Sequence, residues 1–130
     1  MTAIQVTDAG VGLLRDGAKG ATNPQLLYVA VGTSNTTPTA ADTKLGNEVF
    51  RKKTTSYTNG ASPGEVIAAL YLTPTDAVGV DIEEVGVFGG STATSHANTG
   101  VLLARGLYSH NPKTAVESLT LQVDLTITHT

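Results

Sequence analysis

Three histidines, one acidic run and a few isolated cations are the side chains here whose types could do chemistry. His96, His110 and His129 fall in a loop, a turn and the C-terminal tail. None has the His-x-x-x-His spacing or the neighbouring carboxylate pair that would hold a metal, so they read as surface histidines. Seven serines supply hydroxyls, but no G-x-S-x-G elbow presents one as a nucleophile. Gly10-Val11-Gly12 lies inside a helical pattern rather than after a strand, which is not the setting of a dinucleotide fingerprint. With no convergent acid–base or nucleophile set, the expectation is a protein that is not an enzyme and carries no cofactor or metal.

The remaining chemistry is charge pairing. Asp81, Glu83 and Glu84 form an acidic run at a strand, and Asp81 and Glu83 read as a solvated edge. In a strand Glu84 shares a face with Ile82 and Phe88, so its carboxylate is expected to be partly buried and to need a partner. Arg51, on a face with Val49, could supply a bidentate fork. The expectation is a structural Arg51–Glu84 pair that fixes strand register, weighed against two separate exposed charges. Tyr108, His110, Asn111, Pro112 and Lys113 form a turn with an aromatic beside a cation. Tyr108, His110 and Lys113 are therefore the candidate partner interface, with a loop packed on its own sheet as the plainer reading.

The elements that must position these residues follow from pattern. Thr7 is expected to cap a helix, with Asp8 in its first turn and Val6 and Val11 as a staple. Val11, Leu14 and Ala18 would share a face, with Leu13 beside them and Gly17 or Gly20 as the stop. Gln25 to Gly32 reads as a buried strand, and Thr33 to Thr43 as a surface loop with room for one helical turn near Ala40. Asn47 to Tyr57 and Glu65 to Leu72 flank the Asn59-Gly60 turn signal, which predicts a hairpin over 47–72. Val80 to Phe88 and Val101 to Tyr108 follow as strands, separated by the polar loop Gly89 to Gly100. Last, Leu119, Leu121, Val123, Leu125 and Ile127 alternate strictly with polar residues, one face for a core and one for water or a partner. The expected fold is α+β, mainly β: an antiparallel β-sandwich-like domain with one N-terminal helix.

Composition agrees with that class. The chain has 130 residues, a hydrophobic fraction of 40%, a charged fraction of 15% and no cysteine. Residues 1–130 read as one domain large enough for its own core without disulfides. A net charge of -3 is of the wrong sign for nucleic acid. No apolar run has signal-peptide or bilayer length, so no membrane insertion is expected.

Several pieces, in order, resemble a known family. They are Val6-Thr7-Asp8-Ala9-Gly10, Leu27-Tyr28-Val29-Ala30-Val31-Gly32, and Thr43-Lys44-Leu45-Gly46-Asn47-Glu48-Val49-Phe50-Arg51. Val66-Ile67-Ala68-Ala69-Leu70, Ile82-Glu83-Glu84-Val85-Gly86-Val87-Phe88 and Gly100-Val101-Leu102-Leu103-Ala104-Arg105-Gly106 continue it. Together, from about residue 4 to 107, they resemble the N-terminal module of phage tail-collar fibre proteins. The resemblance implies a virion component of a tailed phage or related contractile tail device, made in the host cytoplasm. It implies baseplate or tail proteins and a tail fibre as partners, and a homotrimer. No shaft repeats or receptor tip precede Thr130, which favours a baseplate adaptor over a short fibre subunit. A capsid or tail decoration protein and a small carbohydrate-binding β module are the alternatives.

Overall fold

The computed structural model describes residues 4–128; His129 lies outside the described residues. In chain order the elements are β1 (Ile4–Val6), α1 (Asp8–Ala18), β2 (Tyr28–Gly32), β3 (Glu48–Lys53) and β4 (Ser56–Asn59). Then come β5 (Glu65–Leu72), β6 (Ile82–Gly89), β7 (Val101–His110) and β8 (Leu119–Thr126). The protein is mainly β, with two antiparallel sheets and one short helix among the described residues. One sheet has the order β1-β7-β6-β2-β3 and the other β4-β5-β8. The core lies between them: Val29, Val31, Val85 and Val87 from the larger sheet meet Ala68, Leu70, Leu121, Val123 and Leu125 from the smaller.

The helix begins as its sequence predicts but turns a different face inward. Thr7 Oγ1 accepts from Gly10 N at 2.9 Å and donates to the Leu102 carbonyl, while Thr7 N donates to Leu103 O at 3.1 Å. One residue thus caps α1 and ties it to β7. The buried side is Gly10 and Leu13, whereas Val11 is 57% exposed and Ala18 is exposed. Close approach explains the rotation. A Cβ on Gly10 would stand 2.5 Å from Leu103 O, and one on Gly17 2.5 Å from Pro24 Cγ. The glycines, which cost helix propensity, bring the helix onto its neighbours, and Gly20 at φ +76° follows it in the left-handed region.

The predicted 47–72 hairpin is corrected. β3 pairs with β2, and only β4 pairs with β5. The chain changes sheets at two consecutive threonines: Thr54 N donates to Leu27 O at 3.0 Å, and Thr55 N to Ala69 O at 2.8 Å. Such a corner closes one side of a sandwich without breaking the run of strand-forming residues. Near Ala40 the chain makes a turn, with Asp42 N donating to Thr39 O at 3.2 Å.

Candidate functional site

The outer face of the larger sheet carries Arg51 and Glu84, the two charged residues expected to pair. Its middle row runs Arg51–Ala30–Gly86–Arg105 across β3, β2, β6 and β7. Two small residues at the centre leave a trough, and Leu45 fills it: a Cβ on Gly86 would lie 2.7 Å from Leu45 Cδ2. Ala30, Leu45, Phe88 and Leu102 form a second, smaller apolar cluster there, with Tyr28 packed against it.

Each end of the row carries an arginine–glutamate pair, and the predicted Arg51–Glu84 pairing is corrected. Glu84, expected to be partly buried, is fully buried, and its partner is Arg105, whose Nε donates to Oε1 at 2.8 Å. Three backbone groups complete the carboxylate: Gly46 N at 2.8 Å, Asn47 N at 2.8 Å and Ser34 N at 3.1 Å. Arg105 Nη1 reaches Asp42 Oδ2 at 3.3 Å. Glu84 and Arg105 therefore hold the 33–47 loop onto the sheet. Burial pushes the Asp42 carboxyl up, but the Thr39 N–H and hydroxyl, with Arg105, leave it below its ordinary value.

Arg51 belongs to Glu48. Its Nε and Nη2 form a fork on that carboxylate at 2.6 and 2.9 Å, with both side chains no more than 2% exposed. Nη1 donates to Thr94 O at 2.9 Å and Thr99 O at 3.0 Å, and Glu48 Oε1 also accepts from Asn98 N at 3.1 Å. The guanidinium lies 4.3 Å over the Phe88 ring centroid and 5.6 Å from that of Tyr28. A desolvated cation over an aromatic face is favourable. This second pair holds the 94–99 segment as the first holds 33–47.

Arg51 cannot reach Glu84 as a strand neighbour because β2 separates β3 from β6. A register shift hides the partner of Arg51 and another interrupts β7 just beyond Arg105, whereas Glu84 and Arg105 themselves lie in regular register, with Glu84 opposite Leu107 and Gly86 opposite Arg105. Opposite Val31 and Gly32 the pairing passes from Phe50 to Glu48, and opposite Val87 and Phe88 it passes from Ala104 to Leu102. Each bulge resets the period of two. Glu48 and Arg51, three apart, then share a face that simple alternation would deny them. The available signal was Arg105 itself, a lone cation inside Leu102–Gly106.

The candidate interface at the other end is also partly corrected. Lys113 is 1% exposed; its Nζ donates to Thr73 O at 2.8 Å, Pro74 O at 3.2 Å and Thr114 O at 3.4 Å. It ties the β5–β6 connection to the β7–β8 turn and is not available to a partner. The flexible stem lets the ammonium reach carbonyls that sequence spacing does not reveal. Tyr108 and His110 are half-buried, with stacked rings 6.5 Å apart, and His110 Nε2 lies 3.2 Å from Glu117 Oε1. The Glu117 carboxyl lies below its ordinary value, first because Thr114 N donates to it and then through His110. His96 is exposed in the 89–100 loop.

An open cleft of about 350 Å³ adjoins the first arginine, lined by Thr36, Thr37, Thr43, Lys44 and Arg105 among others. Among the described residues no group of three or more His, Asp or Glu is placed to hold a metal ion. No described helix is long and apolar enough to cross a membrane. Compared with known proteins, the chain matches no family model, no curated protein and no solved structure.

Proposed function

We propose that this chain is a structural virion protein of a tailed phage or related contractile tail device, an adaptor that docks a fibre to the tail or baseplate. The observation that carries the reading is where the family-like pieces converge. Tyr28, Leu45, Glu48, Arg51, Glu84, Phe88 and Arg105 come from three of those pieces plus the Gly100–Gly106 segment, and all meet on the outer face of one sheet. Two buried ion pairs fix two long loops there. A rigid, loop-capped face is suited to holding a neighbour in one orientation, because little loop entropy is lost on contact. The two buried carboxylates of that face, Glu48 and Glu84, are already engaged in holding those loops.

The test is composition of particles. Tails and heads purified separately from cells producing this chain are probed with an antibody to it. Stoichiometric recovery with tails supports the adaptor. Recovery with heads supports a decoration protein instead, and retention on glycan beads with neither particle supports a carbohydrate-binding module.

A further inference from the structure

The four sheet edges are not protected equally. β1 has three described residues and β4 has four. β3 carries Arg51, Lys52 and Lys53 and a register shift. Short length, cations and bulges are the usual means of preventing edge-to-edge pairing. β8 has none of them. It is eight residues long, pairs with β5 in unbroken register, contains no proline or glycine and holds a single charge, Asp124. Among the described residues its other side is unpaired, although β1 comes close to it. Ile127, immediately beyond the strand, continues the apolar series and is 57% exposed.

We propose that β8 pairs antiparallel with β8 of a second copy of this chain, about a two-fold axis at Val123. The strand is self-complementary in that register. Val123 meets its own copy, Leu121 meets Leu125, and the partly buried Leu119 is covered by the exposed Ile127 of the other chain. On the wet face Thr120 meets Thr126, and Gln122 meets Asp124, whose carboxylate can accept from the amide. All apolar residues stay on the core side, so the two three-stranded sheets become one continuous sheet with an isologous contact. This pairing rests on β8 alone and holds whether or not the adaptor reading does. It also replaces the three copies implied by the family resemblance with two.

The experiment is solution mass by light scattering across a dilution series, for the full chain and two variants at exposed positions. Wild type is expected to be a dimer. T120K/T126K places like charges opposite each other twice and should weaken dimerisation about tenfold or more. T120E/T126K makes both contacts attractive and should restore it, while circular dichroism stays native in both variants. A wild-type monomer or trimer overturns the proposal, as does a dimer indifferent to both charge patterns. Particle composition, which tests the adaptor reading, is unaffected by either outcome.

Discussion

The two faces of the five-stranded sheet are built from the same strands by opposite physics. On the inner face Val29, Val31, Val85 and Val87 are fully buried against the smaller sheet, and the force is non-directional removal of apolar area from water. On the outer face fully buried Phe88, Leu102 and Ala30 sit among Glu84, Arg105, Glu48 and Arg51, where energy depends on geometry. An apolar face tolerates reshuffling of volume. A charged one is stable only while each carboxylate keeps its donors. The inner face gives the molecule its core, and the outer face gives two loops fixed positions.

Removing the best-connected charge should separate the two most sharply. Glu84→Ala leaves Arg105 with only the longer contact to Asp42 and three backbone N–H groups without their carboxylate acceptor. A loss of about 3–5 kcal/mol is expected, read by denaturant unfolding, with hydrogen exchange at 33–47 rising far more than elsewhere. A loss below about 1 kcal/mol would mean that the carboxylate is not a fixed part of the loop. Leu70→Ala, at a fully buried core position, is the control for the inner face. It should cost about 3 kcal/mol through lost transfer energy and a cavity, without selectively freeing either loop. If it too released 33–47 alone, the two faces would not be separable.

Arg51→Lys keeps the charge but not the fork. The ammonium cannot hold both Glu48 oxygens and the Thr94 and Thr99 carbonyls together. The expected cost is about 1–2 kcal/mol, with increased exchange confined to the 94–99 segment. Equal loosening of 33–47 would show that the two pairs form one network rather than two independent clamps.

What could be read from the sequence divides along the same line. The alternation of β8, the Thr7 cap and the strand positions of β2, β6 and β7 all arise from local preference and a regular period. The partners of the buried charges do not. Glu48 with Arg51 depends on the bulge at Val49, which has no signature in alternation, and Glu84 with Arg105 depends on the β6–β7 register, which is set across a long polar loop. The same limit applies to α1, where the periodic apolar residues pointed to Val11 but packing chose Gly10, because contact with β7 depends on how little a residue projects. Lys113 was misplaced for a third reason. Its three acceptors are backbone carbonyls from two separate turns, and a carbonyl carries no residue type.

The smallest expected effect lies between the faces, at an ion pair neither sheet encloses. Asp76 accepts from Lys52 Nζ at 2.8 Å and Thr73 N at 2.9 Å. The Lys52 bond, then the Thr73 N–H, hold its carboxyl below the ordinary value of 3.8, against an opposing push from burial. Because the folded value is depressed, this contribution is complete above the unfolded value and is lost as pH falls through the folded one. The stability gap between wild type and Asp76→Asn should therefore be constant near neutrality and close below about pH 4. The Lys52 side chain is 38% exposed, so solvent screening keeps the gap below about 1 kcal/mol, and added salt should shrink it further. A gap that widened on acidification would reverse the sign and show that Asp76 is strained rather than held by its donors. A gap insensitive to salt would place the pair with the buried charges of the outer face.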